Sequence, residues 1–140
     1  MQNMLIDAGP IIALFNKRDA YHARILKFLE NKNYRLWTTW PVVTEVCHLL
    51  SFSVAAQINF LEWIKRGGLS VVEIKMEDLP GLIDFTKKYQ DVPMDLADAS
   101  LMIIAESLSI DKIISIDTDF YIYRDIRKNY LKNVFFQEHD

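Results

Sequence analysis

The chain has 140 residues, 51% of them hydrophobic, enough for one compact domain with a single sizeable core and no need of a second. A net charge of −3 and a pI near 5.6 exclude a protein that coats nucleic acid through bulk electrostatics, though not a nuclease whose acids are offset by a cation. The lone cysteine, Cys47, excludes an internal disulfide and fits a reducing cytosol.

Glycine and proline number four each, and no linker, repeat or low-complexity run is visible, so residues 1–140 read as one domain. The amino terminus, Met-Gln-Asn-Met-Leu-Ile-Asp, has no basic lead-in and breaks its apolar run with an acid. It reads as neither signal peptide nor membrane span, and the expectation is a soluble cytoplasmic protein.

In chain order, Met4-Leu5-Ile6 is a short apolar strand stopping at Asp7, and Gly9-Pro10 marks a turn into a helix over Ile11 to Asn16. Asp19 is expected to cap a helix over Ala20 to Glu30 that buries Ile25, Leu26, Phe28 and Leu29. Leu36 to Thr38 reads as a second strand. Pro41 suits the first turn of a helix carrying Val42, Val43, Val46, Leu49 and Leu50 at helical spacing. A helix over Val54 to Lys65 ends at Gly67-Gly68, and Leu69 to Ile74 is a third strand. Met76 to Tyr89 is helical with Pro80 in its first turn, and Pro93 precedes the clearest helix, Asp95 to Ser109. Ile113 to Ile116 is a fourth strand ending at Asp117, and Val134-Phe135-Phe136 a fifth. Strands alternating with helices predict an α/β fold, a mainly parallel sheet with helices on both faces.

Four acids sit where apolar segments begin or end. Asp7 and Asp117 lie just past the carboxyl ends of strands, and Glu45 and Asp98 in early turns of helices. Ligand crevices in open parallel sheets form at the carboxyl ends of strands, so the four are expected to meet at one edge. A helix amino terminus there would favour anions and help keep Asp98 ionised. An isolated carboxylate at the rim of a core needs solvent, a base or a bound cation, and four of them point to a divalent metal.

Each acid also has a purely structural reading. Asp95 can be the cap of its helix and Asp98 a first-turn acid complementing the macrodipole. Leu101, Met102 and Ala105 continue the face of Asp98 and set it at the rim of the buried stripe. Glu45 shares a face with Val42 and Leu49 and could be paired with a base; Asp7, Asp117 and Asp119 could be turn residues.

The segments Leu5-Ile6-Asp7-Ala8-Gly9-Pro10-Ile11-Ile12-Ala13-Leu14-Phe15-Asn16, Thr39-Trp40-Pro41-Val42-Val43-Thr44-Glu45, Met94-Asp95-Leu96-Ala97-Asp98-Ala99-Ser100-Leu101 and Ile114-Ser115-Ile116-Asp117-Thr118-Asp119-Phe120 resemble, in order, the motifs of PIN domains. The likeness spans nearly the whole chain and is nearest to VapC-type ribonuclease toxins. It implies a PIN-like three-layer sandwich and a Mg²⁺- or Mn²⁺-dependent endoribonuclease cutting RNA. Asp7, Glu45, Asp98 and Asp117 would be its acidic cluster. It further implies a homodimer and a small antitoxin partner. One departure is Ala8, where many relatives carry Ser or Thr directly after the first Asp; no hydroxyl is available there.

In that scheme Asp7, Asp98 and Asp117 ligate the metal directly or through water, Glu45 ligates or orients the attacking water, and Asp119 is an outer acid. The competing class is a non-catalytic module of the same fold that holds RNA or a protein partner. Other constellations are weaker. Glu45 and His48 form an E-x-x-H spacing without the matching motifs of a di-metal bundle, which leaves His48 a structural residue near the rim. No G-x-S-x-G turn supports a serine hydrolase. The Asp117-Thr118-Asp119 start of an aspartyl-phosphate phosphatase has too little chain after it. Arg124, Lys128 and Lys132, with Arg127 beside them, would form a basic stripe on a helix, read as a solvated face before an RNA contact. Trp37 and Trp40 are read as packing residues before base-stacking ones.

Overall fold

The computed structural model describes residues 1–139 except 93, 118–119, 121–122 and 126–128. Five strands, β1 (Gln2–Ile6), β2 (Tyr34–Thr39), β3 (Ser70–Val72), β4 (Lys112–Ile114) and β5 (Lys132–Asn133), form one parallel sheet in the order β3-β2-β1-β4-β5. The helices that flank it are α1 (Ala8–Phe15), α2 (His22–Glu30), α3 (Trp40–Leu49), α4 (Val54–Lys65), α5 (Leu79–Lys88), α6 (Leu96–Leu108) and α7 (Val134–His139). Helix α1 packs on α2, α3 and α4, while α5 packs on α6 and α6 against β2.

Apolar runs bury the centre of the sheet on both faces, as parallel strands require. Met4, Leu5, Ile6, Ile113 and Ile114 are buried, with Phe28, Phe60, Met102 and Phe135 packing from the helices. From β1 the connections run toward β2 and β3 on one side and return to β4 and β5 on the other. The reversal lies between β1 and β4, where a doubly wound sheet opens its ligand crevice. Among the described residues no helix is long and apolar enough to cross a membrane.

Several boundaries differ from the sequence reading, each for a local reason. Helix α1 starts at Ala8 because Asp7 is its cap, the carboxylate accepting the Ala8 N–H; Gly9-Pro10 lies inside the first turn, where a missing N–H leaves no bond unmade. Asp19 accepts the Tyr21 N–H in a turn before α2, which begins only at His22. Leu26, expected inside, is 51% exposed. The third strand shortens to Ser70–Val72, and a 3₁₀ turn, Met76–Asp78, precedes α5. Helix α4 ends as expected, with Gly67 at φ 87.

The largest correction concerns Val134-Phe135-Phe136, expected as a strand and found as the start of α7. The fifth strand is Lys132–Asn133 instead. Asn133 accepts the Phe135 N–H at 3.2 Å in the manner of an N-cap and turns the chain into helix, so Phe135 enters the core from α7. Of the basic stripe, the two described members, Arg124 and Lys132, lie in no helix. Lys132 lies in β5; the Arg124 guanidinium sits 4.8 Å from the Tyr130 ring centre; Arg127 and Lys128 lie outside the described residues, as does Pro93. Trp37 donates its indole N–H to Asn3 and lies under Arg35, whereas Trp40 is 47% exposed.

Candidate active site

The strand β1 delivers Asp7 at its carboxyl end, and β4 delivers Ser115 and Asp117 beside it. Helix α3 brings Glu45 over the same edge, and α6 brings Asp95 and Asp98. All five acids line one cleft of about 300 Å³, with Ala8, Gly9, Ile12, Leu49 and Ile116 as the remaining wall. The four acids singled out in the sequence therefore do meet. Asp119 lies outside the described residues, and His48 is exposed.

Depth differs among the acids. Asp7 and Asp98 form the buried floor, Glu45 is partly buried, and Asp95 and Asp117 stand exposed at the rim. Asp7 accepts the Ala8 N–H at 2.8 Å through Oδ1, and its Oδ2 lies 3.3 Å from the Ser115 hydroxyl. Burial pushes the Asp7 carboxyl up to about 7, reinforced by Glu45 and Asp117 and opposed by the Ala8 and Ser115 hydrogen bonds. Asp98 rises to about 8, chiefly through burial, then through the charges of Asp7, Asp95 and Asp117, with a Tyr123 hydrogen bond opposing. The helix amino terminus expected to keep Asp98 ionised is thus outweighed. Glu45 is also raised, by burial and by Asp95 and Asp117.

Sequence reasoning missed Ser115 and Asn133. The Ser115 hydroxyl accepts the Asp117 N–H at 2.9 Å and shares its own proton between Asp7 Oδ2 and the Asp117 carbonyl, each at 3.3 Å. It ties the two strand-end acids together and supplies beside Asp7 the hydroxyl that Ala8 lacks. The available signal was a serine set within the apolar run Ile113 to Ile116. Asn133, buried in β5, holds the Ser115 peptide from both sides: its amide donates to the Ser115 carbonyl at 2.8 Å, and its Oδ1 accepts the Ser115 N–H at 3.3 Å. Asn133→Ala would strip partners from these buried groups and from the Phe135 N–H, a loss of roughly 2–4 kcal/mol, read as a fall in the urea midpoint.

Asp95 caps α6, accepting the Asp98 N–H at 2.8 Å. Asp95→Ala is expected to lower stability by about 1 kcal/mol in thermal melts while leaving Asp98 in place. Farther along α6, Ser100 donates to the Ala97 carbonyl at 2.7 Å and meets the Thr39 hydroxyl at 2.6 Å, which locks the start of α6 to the end of β2.

The donor set around the cleft is all oxygen, the chemistry of Mg²⁺ or Mn²⁺ rather than of zinc. Among the described residues no three His, Cys, Asp or Glu side chains close into a cage for an ion. The cation would also relieve the floor, where the charges acting on Asp7 and Asp98 are all carboxylates.

Comparison with known proteins agrees with the fold. A curated relative, Ribonuclease VapC26 of Mycobacterium tuberculosis, is 22% identical over 116 residues, 81% of this chain and 86% of its own length. The crystal structure of M. tuberculosis VapC20, described as a sarcin–ricin loop cleaving toxin, superposes with a TM-score of 0.76 at 17% identity, covering 85% of this chain and 93% of that one. VapBC2 from Rickettsia felis, solved bound to a DNA fragment from its promoter, gives a TM-score of 0.65 at 13% identity over 94% of this chain and 98% of that one. The PIN domain family model matches residues 4–126, nearly nine-tenths of the sequence, and the chain belongs to the PIN domain family.

Proposed function

We propose that this PIN-domain protein, one domain over residues 1–140, is a Mg²⁺- or Mn²⁺-dependent endoribonuclease. We propose further that it is the toxin of a type II toxin–antitoxin pair, cytoplasmic, homodimeric and held in check by a small antitoxin. The observation that carries the reading is the convergence of Asp7, Glu45, Asp98 and Asp117 at the switch point of the sheet. It is supported by relatives named as VapC ribonucleases or toxins.

A phosphodiester is anionic, and a cleft of five carboxylates would repel it unless cations came between. Asp7, Asp98 and Asp117 are the residues to hold such an ion, directly or through water. When bound, a divalent ion lowers the pKa of a coordinated water and neutralises charge on the phosphoryl oxygens. Glu45, part-buried and with its carboxyl raised, is suited to accept the proton of the attacking water. Ile12, Leu49 and Ile116 narrow the cleft with apolar surface and strengthen the electrostatics within it. Ser115 links the Asp7 carboxylate to the Asp117 backbone and so holds the two strand ends together.

The purified chain should cut single-stranded RNA with Mg²⁺ or Mn²⁺ and stop when the metal is chelated. RNA that is bound but never cut under any divalent metal would favour the binding-module reading.

A further inference from the structure

Tyr123 is completely buried, its ring edge-on to Phe120 at 5.3 Å and to Tyr89 at 5.1 Å between centres. Its hydroxyl reaches the floor of the cleft and donates to Asp98 Oδ2 at 3.2 Å. Tyr89 anchors the same stretch independently, since its hydroxyl accepts the Arg124 N–H at 2.7 Å. We propose that Tyr123 is a positioning residue for Asp98: its phenol engages Oδ2 and fixes the carboxylate plane, leaving Oδ1 for the cation. This inference rests on the cleft being a divalent-metal site.

The terminal torsion of an aspartate is broad, so an unheld carboxylate samples many planes, few of which suit a given ion. A donor mounted on a ring clamped between two others removes that freedom. The pair Asp98 and Tyr123 also joins helix α6 to the chain that follows β4, so the two sides of the cleft keep a fixed relation. Partners of this kind typically account for about 10–100-fold in metal affinity.

Tyr123→Phe deletes only the hydroxyl and keeps the ring stack. Calorimetric titration of the metal-free protein with MnCl₂ should show a dissociation constant raised about tenfold. The metal concentration giving half-maximal RNA cleavage should rise in parallel, while the rate at saturating Mn²⁺ is largely recovered. Tyr89→Phe, which loosens the same segment without touching Asp98, should leave Mn²⁺ affinity at the wild-type value. Unchanged affinity in Tyr123→Phe would overturn the inference, as would an equal loss in Tyr89→Phe, which would assign the effect to packing. Failure of the wild type itself to bind Mn²⁺ would overturn the metal-site reading and this inference with it; Mn²⁺ binding that ignores Tyr123→Phe would overturn the inference alone.

Discussion

Asp98→Asn is expected to reduce RNA cleavage by at least about a hundredfold, the effect of losing several kcal/mol of transition-state charge stabilisation. The same substitution should leave the metal-free protein as stable as the parent or more so. Asn keeps the shape of the side chain, and its carbonyl can still accept from the Tyr123 hydroxyl. What it removes is a carboxyl whose ionisation burial opposes first, and the charges of Asp7, Asp95 and Asp117 after it. A residue needed for function and unfavourable for the apo fold is what a metal ligand should look like, whereas a structural acid should lose stability on neutralisation. Cleavage of a fluorescent RNA and thermal melts in chelator, on the same preparations, measure both halves. A variant that cuts at the parental rate would refute the assignment.

The metal-free protein should lose stability as pH rises from about 4 to about 8. Asp7 and Asp98 titrate near 7 and 8 in the fold against an ordinary value of 3.8, so across that window the native state binds more protons than the unfolded chain. Stability therefore falls with rising pH. The favourable contribution is complete below the unfolded pKa and is gone once pH has passed the folded one. At about 1.4 kcal/mol per pKa unit, the deeply buried Asp7 alone accounts for on the order of a few kcal/mol, and coupling to Asp98 makes the two non-additive. Saturating Mg²⁺ or Mn²⁺ should reverse the trend, since the ion binds the deprotonated cluster, and the rise in melting temperature should be greater at pH 8 than at pH 5. Melts across pH with chelator and with metal check the sign; apo stability increasing between pH 5 and 8 would contradict it.

Periodicity located most of the framework because the helices around the cleft bury long apolar stripes. Val42, Val43 and Val46 in α3 and the run from Ala97 to Ala105 in α6 declare their faces at helical spacing. The amino acids flanking short apolar strands likewise exposed Asp7 and Asp117. The carboxy-terminal part was less legible. Val-Phe-Phe is too short to distinguish strand from helix, and the deciding feature is the Asn133 side chain, whose bonds to the Ser115 peptide exist only once β4 and β5 are paired. The order of burial among the acids was equally hidden, since Asp98 and Asp95 differ by one helical turn and yet one is floor and the other rim. Tyr123 gave no signal because its partner lies 25 residues away in sequence.

Calorimetric titration of the metal-free wild-type chain with Mn²⁺ near neutral pH, repeated in buffers of different ionisation enthalpy, tests the central claim most directly. The acid cluster as a divalent-metal site predicts saturable binding at or below millimolar concentration with release of protons from the Asp7 and Asp98 floor. No binding heat in any buffer, together with a melting temperature unmoved by the metal, would contradict it.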